Sequence, residues 1–138
     1  MIRNRSMPPG VFVPELAYDD VAAAAEWLCR VFGFRERLRI GSHRVQLVLR
    51  GGSMVVMERG PNTAGAAKVM VSVDDVDAHH RRAREAGARI LAPPADQPFG
   101  ERQYTAQDLG GHAWTFSQSI ADVDPAAWGG ELIPGSDG

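Results

Sequence analysis

The chain has 138 residues, 44% of them hydrophobic, and a formal net charge of −2. That length and apolar content suit one compact domain or two small modules sharing a core, and without a basic excess a nucleic-acid partner is not expected. The single cysteine, Cys29, excludes an intrachain disulfide and a thiolate metal cluster. No apolar run approaches the roughly 20 residues that span a bilayer, so no membrane partner is expected and a cytoplasmic location is the default.

In chain order, residues 1–10 read as a flexible leader. Val11–Tyr18 is a strand, with Pro14 marking an edge or irregular position. Asp19 or Asp20 can cap the next segment by accepting from the free N–H groups of a first helical turn. Val21, Ala24, Ala25, Leu28 and Phe32 then recur at helical spacing, and Gly33 supplies the stop. Phe34–Ile40, Val45–Arg50 and Ser53–Glu58 are strands separated by Gly-bearing turns. The small and polar stretch 60–67 is a linker. Lys68–Val73 is a strand, Asp75 to about Ala86 a helix, and Ala88–Leu91 a strand. A Pro-rich loop, Ala92–Gly100, precedes strands Arg102–Gln107 and His112–Ser117, which flank the turn Asp108-Leu109-Gly110-Gly111. Residues 119–138, rich in Pro, Gly and Asp, form a tail that Trp128 can dock onto the body or onto a second subunit.

The order strand, helix, three strands therefore occurs twice. Asp19-Asp20-Val21 answers Asp74-Asp75-Val76, Gly33 answers Gly87, and the Gly-led run from Gly52 answers the run from Gly111. Such self-similarity marks repeated units, and two units of this size can pair around a cavity. Alternation along the strands assigns faces. Val69, Val71 and Val73, with Trp114 and Phe116, suit the helix side, which leaves Lys68, Met70, Ser72, Ala113, Thr115 and Ser117 on the concave side. In the first unit, Leu16 and Tyr18 belong under the helix, and Val13, Glu15, Ala17, Met54, Val56 and Glu58 face the hollow.

The segments Leu16–Val21, Trp27–Phe34, Val71–Val76 and above all Gly100–Phe116 resemble the vicinal oxygen chelate superfamily of glyoxalases, bleomycin-resistance proteins and extradiol dioxygenases. Leu109 stands where that family usually has Pro. The resemblance implies an α+β fold in which two βαβββ modules, 11–59 and 68–118, form a curled mixed sheet around a pocket. It also implies a homodimer. Family enzymes hold one divalent metal with side chains from the first and last strand of each module, and those places fall here on Val13, approximately Val56, Lys68 and Thr115. Valine has no lone pair, an ammonium repels a cation, and threonine is a poor ligand. Glu15 and Glu58 lie two residues from the expected places. Neither a metal nor another cofactor is therefore expected, and no catalytic residue is assigned.

His79 and His80, beside Arg81, Arg82 and Arg84, read as a solvated basic helix face, and His112 serves a turn or the cavity mouth. The expected ligand-binding set is Glu15, Met54, Val56, Glu58, Lys68, Met70, Phe99, Tyr104 and Thr115. Its carboxylates suit a cationic aromatic compound, since a buried carboxylate needs a partner. The resemblance then implies a metal-free protein that binds a small organic ligand, sequestering a drug or natural product. The competing reading is a lyase, isomerase or dioxygenase with a displaced metal or an acid–base site.

Overall fold

The computed structural model describes residues 2–61, 63 and 65–134; residue 1 of the leader, 62 and 64 of the linker, and 135–138 of the tail lie outside the described residues. Two βαβββ units follow one another. The first comprises β1 (Glu15–Tyr18), α1 (Val21–Phe32), β2 (Arg35–Ile40), β3 (Arg44–Leu49) and β4 (Gly52–Glu58). The second comprises β5 (Lys68–Ser72), α2 (Val76–Glu85), β6 (Arg89–Asp96), β7 (Glu101–Gln107) and β8 (Ala113–Ser119). Each unit makes one four-stranded mixed sheet, ordered β1-β4-β3-β2 and β5-β8-β7-β6.

Both helices begin as their sequences dictate. Asp20 accepts from the Ala23 N–H and Asp75 from the Ala78 N–H, each at 3.0 Å, which satisfies a free donor of the first turn. The apolar stripe of α1 packs on its sheet in one core that joins both units. Phe32 is the hinge of that core, with its ring 5.6 Å from Trp114 and 4.9 Å from Phe116 of the second sheet. Arg82 of α2 donates to the carbonyl of Arg30 at 3.2 Å, placing a cation at the C-terminal end of α1, where the helix dipole favours it.

Two strands and the leader depart most from expectation, each for a local reason. β1 starts at Glu15, not Val11: Pro14 has no N–H to give a ladder, although its carbonyl still accepts from Val55 at 2.9 Å. β6 runs on to Asp96 through Pro93-Pro94, a segment expected as loop. It is an edge strand with register shifts on either side of Ala92, the setting in which proline is tolerated. The leader, expected to be flexible, lies against the first sheet through Arg37, Gln46 and Ser53.

Register settles the faces. Val69 pairs with Trp114 and Val71 with Phe116 on the helix side, while Lys68, Met70 and Ser72 pair with Ala113, Thr115 and Ser117 on the other, as expected. In the first sheet, Leu16 pairs with Val56 and Tyr18 with Glu58. Met54, Val56 and Glu58 therefore project to the helix side, and their expected placement in the hollow is corrected. The helix-free face of β4 carries Ser53, Val55 and Met57 instead.

Candidate binding site between the two sheets

His112 links the first sheet to the segment that leads into β5. The Ala67 N–H donates to its Nδ1 at 2.7 Å, and its Nε2 donates to the Ala17 carbonyl at 2.8 Å. These contacts define a neutral imidazole protonated on Nε2. Asp108 forms a second junction. Its carboxylate accepts from Tyr18 Oη at 2.6 Å, Trp114 Nε1 at 2.9 Å, Gly110 N–H at 2.9 Å and His112 N–H at 3.0 Å. Burial first, and then the Asp108 charge, push the Tyr18 phenol far above its ordinary range, so it is a fixed donor and not a base. Gly110 permits this approach, because a Cβ there would meet the Tyr18 ring at 2.5 Å.

Beside Pro14 lies a slot of about 350 Å³, walled by Pro14, Phe34, Leu49, Met54, Val69 and Trp114 of the two units. The Trp114 N–H is already engaged by Asp108, so the indole offers the slot an apolar surface. Arg50 stands at the mouth. It is the one non-glycine among the described residues with positive φ (55°), and its guanidinium bonds the Ser72 carbonyl and the Asp74 carboxylate. Strained backbone of this kind persists only where its surroundings hold it.

From the slot, the helix-free face of the second sheet continues outward. Met70 is 67% exposed there. Beside it run uncharged polar pairs: Thr105 and Thr115 hydroxyls 2.9 Å apart, and Gln103 Nε2 donating to Ser117 Oγ at 3.0 Å. Ser117 in turn donates to Glu101 at 2.7 Å.

Of the expected binding residues, Met54, Met70 and Thr115 lie at the slot or on this face, and Lys68 lies exposed on the same face, one step along β5. Glu15 is also on the helix-free side, but it is ion-paired with Arg44. Val56 is fully buried at 0% exposure and Glu58 is on the helix side, so neither lines the hollow. Tyr104 is in the core: its hydroxyl lies 2.5 Å from His79 Nδ1, and its register with Phe116 turns it towards the helices. Phe99 packs on Trp128 at 5.4 Å, which docks the tail. His79 departs from the expected solvated face. Its ring lies 4.0 Å from that of Phe116, Nε2 donates to the Phe32 carbonyl at 3.2 Å, and burial lowers its pKa. Sequence reasoning placed Ser117 on this face and missed Gln103 and Thr105. Their signal was the alternation of Gln103, Thr105 and Gln107 with buried Tyr104 and Ala106.

A profile of the glyoxalase/bleomycin resistance protein/dioxygenase superfamily matches residues 11–116. The chain belongs to this superfamily. Among solved structures of superfamily fold, TioX from Micromonospora sp. ML1 is 42% identical, with a TM-score of 0.73 over 80% of this chain and 99% of that one. TnmS3, an antibiotic binding protein from Streptomyces sp. CB03234, is 23% identical, with a TM-score of 0.70 over 80% of this chain and 95% of its own. Mb0911c of Mycobacterium bovis is 29% identical over 128 residues, 80% of this chain and 84% of that protein.

The residues present do not fit the divalent metal that superfamily enzymes use. The corresponding places carry Val13, Val56, Lys68 and Thr115, and Val56 points away from the hollow. The nearby carboxylates do not converge, since Glu15 is engaged by Arg44 and Glu58 is on the opposite face. Among the described residues, no three His, Cys, Asp or Glu side chains are grouped to hold an ion, whereas such a site needs several donors at about 2 Å.

Proposed function

We propose that this protein binds one small, largely uncharged organic molecule in the slot between its sheets, without a metal, and so sequesters it as a drug- or natural-product-binding member of its superfamily. One observation carries the reading: an apolar slot of about 350 Å³ adjoins a face whose central side chains, Gln103, Thr105, Thr115 and Ser117, are uncharged hydrogen-bonding groups, with Lys68 and Glu101 at its ends. Apolar walls with a few placed polar groups are the usual make-up of a small-molecule site. The slot supplies contact area, and the Thr105–Thr115 and Gln103–Ser117 pairs supply direction. The expected preference for a cationic ligand loses its basis once Glu15 is paired and Glu58 faces the helices. The antibiotic-binding protein TnmS3 shares the fold, which supports the reading as an example of what this architecture can hold.

A homodimer belongs to the same proposal, since Ile40 and Leu91 are exposed apolar side chains. Light scattering that returns twice the chain mass supports it, and a monomer contradicts it. Binding itself is tested by thermal shift against a panel of neutral polycyclic natural products, followed by titration. Met70→Trp places an indole at the slot mouth from an exposed position. It should weaken a true slot ligand about tenfold, equivalent to ~1.4 kcal/mol, while leaving the melting temperature of the free protein unchanged. Equal affinity in the two proteins would remove the slot as the site.

A further inference from the structure

The two sheets are not buried alike. β5 alternates, with Lys68, Met70 and Ser72 exposed. In β3 and β4, residues 45–48 and 53–56 are buried without alternation. Val45, Leu47, Met54 and Val56 belong to the core under α1. Ala17 (6%), Val48 (7%) and Val55 (3%) are as well buried on the opposite face, yet stand outside that core cluster. The leader crosses this face. The Arg5 carbonyl accepts from Arg37 Nη2 at 2.9 Å, the Ser6 carbonyl accepts from Gln46 Nε2 at 2.8 Å, and the Pro9 carbonyl accepts from Ser53 Oγ. The three donors sit on β2, β3 and β4 in turn, and Arg37 also donates to Gln46 Oε1 at 2.6 Å, so they form one connected row. Pro8 is buried between the anchored residues. Gly10, at φ 106°, turns the chain back towards β1.

Every anchor therefore presents a donor, and the leader answers with carbonyl oxygens alone. Pro8 and Pro9 have no N–H, so this stretch brings no surplus donors onto an apolar face.

We propose that Arg37, Gln46 and Ser53 form a carbonyl-recognising subsite on the helix-free face of the first sheet, and that residues 4–10 occupy it as a built-in stand-in for a carbonyl-rich ligand, which displaces them. This rests on the slot reading, because Ser53 borders both the slot and the leader's path. A molecule longer than the slot extends along this row once the leader leaves, and the leader then acts as an internal competitor. Its release lowers the fraction of occupied subsite, so apparent affinity rises with the competent fraction.

Two full-length variants test this through different physics. Pro8→Asp puts a charge where a ring is buried, and Gly10→Val places a β-branched residue at a φ that L side chains rarely adopt. The probe is the dye 8-anilinonaphthalene-1-sulfonate, and the competitor is a synthetic peptide of residues 2–12. Release of the leader should raise dye fluorescence at least about threefold in both variants at a temperature where each remains folded, and the peptide should return it towards the wild-type level. Unchanged fluorescence in both variants, or a raised signal that the peptide fails to reduce, would overturn the proposal. This readout needs no natural ligand, so it stands apart from the slot test. Loss of slot binding leaves the dye and peptide result intact, and failure of peptide exchange leaves slot binding intact.

Discussion

At the junction of the two units, Asp108 gathers four donors, of which Tyr18 comes from the first unit. It accepts from Tyr18, Trp114 and two backbone N–H groups, so removing it strands four buried or half-buried donors. Each such loss costs about 1–3 kcal/mol before relaxation. Asp108→Ala should therefore destabilise the fold by roughly 3 kcal/mol or more, and Tyr18→Phe by roughly 1–2 kcal/mol, measured by urea unfolding. An Asp108→Ala change under 1 kcal/mol would mean that the junction is dispensable. His79 gives a pH signature. Burial holds its folded-state pKa below the ordinary 6.5, so the unfolded chain takes up the proton first as pH falls. Its contribution to stability is complete above about 6.5 and is lost as pH drops from there towards the folded value. His79→Gln should flatten the fall in stability between pH 7 and pH 5. An unchanged slope would show that other groups carry the dependence.

At the scale of elements, the helices were legible because their signals are local: an Asp cap, an apolar stripe and, for α1, a glycine stop, with Gly33 at φ 86°. The faces of β5 and β8 were legible because one side is covered and the other is not, and alternation records that difference. In β4 the run Met54-Val55-Val56-Met57 has no polar beat, because α1 covers one face and the leader the other. Nothing in the strand could then say which residues face the hollow, and the choice of Val56 and Glu58 failed for that reason. Tyr104 misled differently. A tyrosine near a cavity is an apt ligand contact, but here its hydroxyl is satisfied by His79 across the core, a long-range pairing that no local pattern announces. The asymmetry of the sheets makes a sharp prediction. Val55→Asp should destabilise about as much as Val56→Asp, each by roughly 3 kcal/mol or more, whereas Met70→Asp should stay within about 0.5 kcal/mol. A tolerated Val55→Asp would show that the leader does not seal its face.

For the molecule as a whole, the repeat builds a pair of sheets whose meeting edge is stitched at one end by His112 and Asp108 and left open at the other. Pro14, which precedes β1, lines the slot at this open end. The slot is walled by Val, Met and Trp side chains, with an Arg50–Asp74 ion pair at the rim. No helix among the described residues is long and apolar enough to cross a membrane.

Metal-free binding is the central claim, and the most direct measurement is thermal unfolding of the chelator-treated protein. One arm adds neutral, carbonyl-rich natural products, and the other adds Ni²⁺, Zn²⁺, Fe²⁺ or Mn²⁺, with metal content read by elemental analysis. A compound that raises the melting temperature of metal-free protein, with no shift from any ion, is the predicted result. One ion bound per chain with a raised melting temperature, or compounds that bind only after metal is restored, would contradict it.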